Sequence, residues 1–231
     1  MSSVESAINC TSCGRKPNPS ETVFQHCSAC KTAYYCSTDC QRRDWKGSHK
    51  QQCKVNLLTK EAQAIAAQHT GDTVTGIRLA CTKEPGGFWE VEVPSKHSIF
   101  DNALLEVPAL LGIPLVIHRV GTQSNNRVDL DCPIATWLNI KYADGFAPME
   151  WQSHVGTCLV ARKDKKPLSQ EHMDAVHMYI SRLLDMFGDG AKYAQKGITR
   201  TAFEKWFEGY KREQVGNGHA NWEKVGSVFD A

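Results

Sequence analysis

The sequence predicts a small zinc-stapled finger of short hairpins and helices, followed by an α+β domain in which strands come first and two helices come last. Seven of the ten cysteines fall between residues 10 and 53, a run too short for a self-sufficient apolar core. From about residue 72 the apolar residues alternate as in strands, and after residue 169 they recur at helical spacing. Strands followed by helices favour an α+β architecture.

The first segment is built around eight residues that are good metal ligands. They follow the pattern C-x2-C-x13-C-x2-C-x5-C-x3-C-x8-H-x3-C and are Cys10, Cys13, Cys27, Cys30, Cys36, Cys40, His49 and Cys53. A C-x2-C turn brings two sulfurs into one coordination sphere, and thiolate and imidazole are common zinc ligands. Eight ligands complete two tetrahedral sites. We therefore predict two zinc ions, both structural because protein groups fill every coordination position.

Short elements are predicted around these ligands. Residues 23–26 and 33–35 flank the second C-x2-C turn and could pair as strands. Ser37 is a candidate N-cap for a helix that reaches Lys46 and ends at Gly47.

A second helix is expected after Gly47. Ser48 and Gln51 form a possible capping box at its start. His49 and Cys53 are four residues apart and share one face of this helix, as joint ligands should. The helix is predicted to run to about residue 68.

These patterns divide the chain into four segments. Residues 1–9 are predicted to be a mobile lead, 10–53 the finger, 54–71 a helical connector and 72–231 the α+β domain. The three cysteines of the last segment have no ligand partners nearby in the sequence, and we expect them to be small buried apolar residues; they are Cys81, Cys132 and Cys158.

The α+β domain is predicted from alternation, turn residues and caps. Candidate strands are residues 75–80, 88–93, 115–120, 135–142 and 155–162, with turns at 85–87 and 123–126. A helix is predicted over 169–187, with Gly188 at its C′ position. Thr201 and Glu204 form a possible capping box for the last helix.

The apolar residues of the tail are expected to pack back on the domain. The run 162–166 is predicted to be a solvated turn, with a localisation patch as the alternative.

Charge and hydropathy narrow the class of protein. Residues 1–60 carry nine Lys and Arg against four Asp and Glu, a formal charge of +5 within a chain of +2. Zinc-bound cysteines are thiolates, so a four-thiolate site contributes −2 and a site of three thiolates and one imidazole −1. The metallated finger is then near +2, which argues against a nucleic-acid partner.

No apolar run is long enough for a membrane span, and the first residues lack the features of a signal peptide. We expect an intracellular protein of the nucleus or cytoplasm, where thiols stay reduced.

Spacing alone leaves two ways to distribute the ligands. Sequential pairing places Cys10, Cys13, Cys27 and Cys30 on one ion. Interleaved pairing places Cys10, Cys13, Cys36 and Cys40 on one ion and Cys27, Cys30, His49 and Cys53 on the other. Both are chemically sound tetrahedra.

The residues between the ligands carry a specific resemblance. The string Tyr35-Cys36-Ser37-x-x-Cys40-Gln41-x-x-Asp44-Trp45-x3-His49-x3-Cys53, after two C-x2-C turns, resembles the MYND zinc finger. That resemblance covers residues 10–53 and implies the interleaved pairing. Three residues separate Trp45 from His49, one more than the family pattern has, and we interpret this as an insertion tolerated at Gly47.

The resemblance also implies a function. MYND fingers are protein-interaction modules that bind proline-containing peptides in extended form, and the residues that correspond here are Ser28, Gln41 and Trp45. An indole offers a flat apolar face to a proline ring, and an amide can bond an extended backbone. The alternatives are a small core aromatic for Trp45 and a solvated helix residue for Gln41. The expected role is an adaptor without enzyme activity, and the resemblance implies transcriptional regulation or complex assembly as its setting.

Two further resemblances concern the α+β domain and the class of protein. Residues 145–153, 155–162 and 167–169, with an Ile-Thr-Arg segment at 198–207, resemble uncharacterised fungal MYND-finger proteins and imply no activity. A SET-MYND lysine methyltransferase is the main enzyme alternative, but its Asn-His-Ser motif, its Gly-rich cofactor loop and its later Cys-x-Cys-x2-Cys are absent from this sequence. A nucleic-acid-binding zinc protein is the other alternative.

Overall fold

The structure is a computed structural model that describes residues 9–18, 24–82, 84, 87–120 and 131–230. Nearly all of the predicted lead, most of the turn at 85–87 and all of the turn at 123–126 lie outside these residues. The chain divides into two compact units, Met1–Lys60 and Glu61–Ala231. The predicted fold class is confirmed, because a hairpin and helices around the cysteines precede a mixed region of strands and C-terminal helices.

The first unit is a hairpin followed by one long helical segment. Its elements are β1 (Gln25–His26), β2 (Tyr34–Tyr35), helix α1 (Thr38–Asp44), a π turn (Trp45–His49) and helix α2 (Lys50–Ala66), which continues past the unit boundary. The two strands pair antiparallel. Ser37 is the N-cap of α1, as predicted, since its hydroxyl accepts a hydrogen bond of 3.2 Å from the backbone N–H of Cys40.

The predicted break between two helices is wrong. Gly47 does not end α1 and Ser48 does not cap α2, because both lie inside the π turn. A π turn closes i→i+5 hydrogen bonds and so takes in more residues per turn than an α-helix does. The extra residue before His49 is therefore absorbed without interrupting the helix.

The core of the first unit consists mainly of metal ligands. Among the described residues of this unit nine are buried, and six of them are ligands, namely Cys10, Cys27, Cys30, Cys40, His49 and Cys53, while the others are Phe24, Ala33 and Tyr35. The Tyr35 side chain is fully buried, and its hydroxyl donates a hydrogen bond of 2.8 Å to Asp44 Oδ2. The apolar part of this core is too small to stand alone, as the sequence length suggested.

The second unit contains a four-stranded antiparallel sheet in the order β4-β3-β6-β5. The strands are β3 (Thr73–Leu79), β4 (Phe88–Pro94), β5 (Leu115–Arg119) and β6 (Cys158–Arg162). The helices are α3 (Glu106–Leu111), α4 (Pro133–Leu138), α5 (Gln170–Gly188), α6 (Ala191–Gly197) and α7 (Arg200–Gly216). Four of the five predicted strands are confirmed with shifted ends, and α3 and α6 were not predicted.

The strand predicted over 135–142 is wrong, since this stretch contains most of helix α4. Pro133 occupies the first turn, where its fixed φ suits a helix and its missing N–H costs nothing. Ala135 and Leu138 are buried, three residues apart, on one side of the helix. A short apolar run of this kind fits either a buried strand or a buried helix, and periodicity does not separate them.

The predicted helix caps are partly corrected. Ser169 caps α5 through a 3.2 Å hydrogen bond from the N–H of His172. Gly188 is the last residue of α5 instead of its C′ residue. Thr199, and not Thr201, caps α7, because Thr199 is extended and its hydroxyl accepts from the N–H of Ala202.

The prediction that the basic run at 162–166 is a solvated turn, or alternatively an exposed patch, is wrong for its first three residues. Arg162, Lys163 and Asp164 are all buried. Arg162 Nε lies 3.0 Å from Asp164 Oδ1 and Arg162 Nη2 lies 2.7 Å from Asp164 Oδ2, a two-pronged ion pair. Lys163 Nζ donates to the carbonyls of Phe100 and Asn102 at 2.8 and 2.7 Å. Charges are buried here because each one finds hydrogen-bonding partners.

The tail packs back on the second unit, as predicted. We call residues 220–230 the C-terminal strap, and its Trp222 and Val228 are buried. Three side chains of the unit form hydrogen bonds with backbone carbonyls of the strap. Lys211 binds the carbonyl of Val225, His172 binds that of Gly226 at 3.1 Å, and Arg162 binds that of Val228.

Two smaller predictions concern cysteines and membranes. Cys81, Cys132 and Cys158 are all buried, as expected for small apolar residues. Across the described parts of the chain, every helix is too short or too polar to span a membrane.

Candidate metal centre

The first ligand group joins the first C-x2-C turn to the start of helix α1. Cys10, Cys13, Cys36 and Cys40 place their four sulfur atoms within 4.8 Å of one another. Cys36 Sγ lies 3.7 Å from Cys13 Sγ and 3.6 Å from Cys40 Sγ. The Ser37 cap sets the start of α1 so that Cys36 and Cys40 lie on either side of the first turn.

The second group joins the second C-x2-C turn to the long helical segment. Cys27, Cys30, His49 and Cys53 place their ligand atoms within 4.8 Å of one another, and all four are buried. Cys27 Sγ lies 3.9 Å from Cys53 Sγ, and Cys30 Sγ lies 3.7 Å from His49 Nε2. Cys53 follows His49 by four residues at the start of α2, so both side chains point the same way.

These distances fit tetrahedral zinc. Zn–S bonds of about 2.3 Å and tetrahedral angles place two sulfurs about 3.8 Å apart, and a sulfur and an imidazole nitrogen slightly closer. The two groups share no residue, so the interleaved pairing holds and sequential pairing is excluded. Both groups supply four protein ligands, which leaves no position for a substrate and makes the two zinc ions structural.

Neighbouring side chains support the sulfur ligands. Arg43 Nη2 lies 3.4 Å from Cys40 Sγ, and Thr32 Oγ1 donates to Cys30 Sγ at 3.1 Å. Lys60 Nζ donates to the carbonyl of Cys30. Such contacts fix ligand orientation and stabilise the charge of bound thiolates.

The thiols of one group do not ionise alike. Burial acts to raise the pKa of Cys10 and of Cys30, but hydrogen bonds outweigh burial and lower each pKa to about 6. At Cys10 these bonds come mainly from backbone N–H groups, and at Cys30 they come chiefly from Thr32. Burial and the neighbouring Cys40 raise the pKa of Cys36 to about 12, and burial and Cys30 raise that of Cys53 to about 11. Thiolates held this close repel one another, and a divalent cation removes that repulsion.

The three residues expected to contact a peptide lie on the outside of the finger. Ser28 is exposed, Gln41 is half-buried and the Trp45 side chain is 43% exposed. The Trp45 ring lies 5.9 Å from the ring of His49, centre to centre, so it covers a zinc ligand on one side. A core position was the alternative for Trp45, and Tyr35 is the aromatic residue that takes such a buried position instead. The sequence signal for the burial of Tyr35 is its place in a strand next to the ligand Cys36.

A cleft of about 430 Å³ lies in the second unit. Its lining residues are Phe88, Gln170, Glu171, Asp174, Tyr210, Gln214, His219, Asn221 and Trp222. Asn221 donates to Glu171 at 2.7 Å and Tyr210 to Asp174 at 2.7 Å. Both carboxylates therefore help to hold the C-terminal strap and helix α7 against α5.

Comparison with known proteins agrees with the geometry of the metal centre. Residues 10–53 match the family described as MYND finger. The chain is 47% identical over 51 residues to a SET and MYND domain-containing protein of Dictyostelium discoideum, covering 21% of this chain and 9% of the relative. It is 47% identical over 53 residues to Protein CBFA2T2 of Homo sapiens, covering 23% and 8%.

A longer alignment joins the chain to Tudor domain-containing protein 1 of Mus musculus, 64% identical over 224 residues, covering 79% of this chain and 18% of the relative. The chain spans less than a fifth of the length of these curated relatives. No solved structure matches it. The chain thus contains a two-zinc MYND finger, a protein-interaction module.

Proposed function

We propose that the chain is an adaptor without enzyme activity, whose MYND finger binds an extended, proline-containing segment of a partner protein. The observation that carries this proposal is the exposure of Trp45 on a finger in which the aromatic residues Phe24 and Tyr35 are buried. A large exposed aromatic on a rigid, metal-held scaffold is an expected anchor for a binding partner.

The surroundings of Trp45 suit an extended peptide. Gln41 lies one helical turn before Trp45 and offers both a donor and an acceptor to a peptide backbone. Ser28 adds a hydroxyl on the second C-x2-C turn. A proline ring can stack on the indole with little loss of entropy, since its backbone is already restricted.

Closed zinc sites support the non-catalytic part of the proposal. Each ion has four protein ligands and no position for a substrate or water. The carboxylates of the cleft in the second unit are engaged by Asn221 and Tyr210. A role in transcriptional regulation, in the nucleus or cytoplasm, is proposed from the family resemblance alone.

Binding of short synthetic peptides to the full chain tests the proposal. Each peptide is made with proline and with alanine in its place, and affinities are measured for wild type, Trp45→Ala and Gln41→Ala. We expect the proline form to bind and Trp45→Ala to weaken it by about tenfold or more. Tyr193→Ala is the matched control, because Tyr193 is a 52% exposed aromatic of the second unit.

Zinc content and amide dispersion are recorded for every variant, so that loss of binding is not confused with loss of the fold. The same peptides bound equally well by wild type and Trp45→Ala would overturn the peptide surface. A pull-down that recovers the same partners with both proteins would do so as well.

A further inference from the structure

A row of basic side chains runs along the outside of the finger's helical segment. Arg42, Lys46, Lys50 and Lys54, here called the basic ridge, are all exposed and follow one another at steps of four residues. Four residues of an α-helix advance about 40° beyond a full turn, so such a row normally drifts around the helix. The step from Lys46 to Lys50 crosses the π turn, which has more residues per turn and reverses this drift. The ridge therefore stays on one side of the helix.

The charges of the ridge are not balanced by the protein. Lys46, Lys50 and Lys54 form no ion pair within the described parts of the chain, and Arg42 reaches only Asp39, at 3.6 Å on a fully solvated surface. Residues 45–60 contain four lysines and no Asp or Glu. Like charges four residues apart destabilise a helix. This arrangement works against the helix unless an anion from outside binds it.

The ridge is separate from the cations that serve the zinc ligands. Arg43 contacts Cys40 Sγ and Lys60 contacts the carbonyl of Cys30. These two residues face the negative thiolate groups. The small net charge of the metallated finger thus conceals two sets of exposed cations, one in contact with zinc-ligand residues and one, the basic ridge, without such contacts.

The ridge borders the proposed peptide surface. Arg42 follows Gln41 and Lys46 follows Trp45, and one residue is a rotation of about 100° on a helix. A peptide lying along Gln41 and Trp45 has its flanking side chains within reach of Arg42 and Lys46, which have long, flexible stems. We infer, resting on the proposed function, that the segment bound by this finger carries Asp or Glu residues beside its proline, and that the basic ridge recognises them.

The test uses the full chain and peptides with one proline core and three kinds of flank, namely glutamate, glutamine or lysine. At low salt we expect the glutamate peptide to bind about tenfold more tightly than the glutamine peptide, and the lysine peptide to bind least. The preference should shrink as salt screens the exposed charges. Lys46→Glu/Lys50→Glu should reverse it. Lys192→Glu/Lys205→Glu makes the same change of net charge on exposed lysines of the second unit and should leave it intact.

The outcomes separate the two proposals. Equal binding of the glutamate and glutamine peptides, with Trp45→Ala still weakening both, overturns the acidic partner and keeps the peptide surface. Failure of every proline peptide overturns the proposed function and this inference with it. A fourth peptide with phosphoserine flanks shows whether the anion is phosphate, and binding of that peptide alone overturns the carboxylate assignment.

Nucleic acid is tested in the same assay. Single-stranded RNA and duplex DNA oligonucleotides are added as competitors of the acidic peptide. Displacement by either at much lower concentration than the unlabelled peptide, with a steep dependence on salt, overturns the inference in favour of a nucleic-acid surface.

Discussion

In the described part of residues 1–60, six of the nine buried residues are zinc ligands, whereas aliphatic side chains such as Ile77, Leu79 and Leu115 fill the core of residues 61–231. The first unit obtains from two metal ions the stabilisation that the second obtains from apolar burial. One chain therefore contains two units with different requirements. The finger depends on zinc and reduced thiols, and the larger unit depends on packing and on buried polar contacts.

Loss of one zinc ligand gives the largest expected difference between the units. Cys36→Ser, or chelation of zinc, should unfold residues 10–53 and leave the second unit folded, because structural zinc contributes about 10 kcal/mol or more at neutral pH. Amide dispersion and zinc stoichiometry measure this. Cys36→His keeps a ligand at the position and should retain more zinc than the serine variant. A Cys36→Ser finger with native dispersion and two bound zinc ions would refute the ligand assignment.

The second unit should be most sensitive at its buried ion pair. Asp164→Ala leaves the guanidinium of Arg162 buried without its carboxylate, and we expect a loss of about 3–5 kcal/mol in the free energy of unfolding. Urea unfolding of the second unit measures it. The exposed pair of Arg200 and Glu204, 2.8 Å apart, is the matched control, and Glu204→Ala should cost under about 1 kcal/mol. Similar losses in both variants would show that burial does not set the difference.

Truncation in the sheet tests the apolar core. Leu115→Ala should lower the free energy of unfolding by about 2–5 kcal/mol, since Leu115 is fully buried in β5. Zinc content should stay at wild-type level, because the affected packing lies in the other unit. Leu57→Ala removes a leucine of helix α2 that is 42% exposed and should have a much smaller effect. Release of zinc by Leu115→Ala would contradict the separation of the two units.

The smallest expected effect is the pH dependence that buried histidines give the second unit. Burial lowers the pKa of His177, although Asp174 opposes this, and burial likewise lowers the pKa of His172. The unfolded chain then binds protons more readily, so the stability of this unit is highest above about pH 6.5 and falls as the pH drops below that value.

His177→Phe tests the contribution of one ring. The His177 ring stacks on Trp137 with centres 5.2 Å apart, and a phenyl ring can keep that contact without titrating. The variant should lose less stability than wild type when urea unfolding is compared above and below about pH 6.5. The remaining slope is expected from His172 and His118, because burial lowers the pKa of both. An unchanged slope would assign the pH dependence to other groups.

Ligand identity was predictable from the sequence because zinc chemistry constrains both residue type and spacing. Spacing alone did not choose between the two pairings, but the resemblance carried by the residues around Cys36 and Trp45 implied the interleaved one, and the ligand groups of the structure confirm it. The π turn was also beyond local rules, since Gly47 and Ser48 have the preferences of a helix end and a helix start. Cys40 and His49 must each reach a zinc ion, and this requirement overrides the local preferences of Gly47 and Ser48.

In the second unit, local patterns failed where tertiary burial decides the outcome. Ala135 and Leu138 suit a strand or a helix equally, and Pro133 was the overlooked sign of a helix start. Arg162 and Lys163 belong to a run with the composition of a solvent-exposed turn. Their burial depends on Asp164 and on carbonyls distant in sequence, which no local pattern reveals.

The C-terminal strap has a consequence for the order of events during synthesis. All eight zinc ligands precede the second unit along the chain, so the finger can close around its metal while that unit is still unmade. Arg162 and His172, by contrast, wait for the carbonyls of Val228 and Gly226, and β5 has no partner in the sheet until β6 is made. The finger therefore needs zinc early, whereas the larger unit passes through an interval in which β5 is unpaired and its apolar side chains, buried in the folded unit, are exposed.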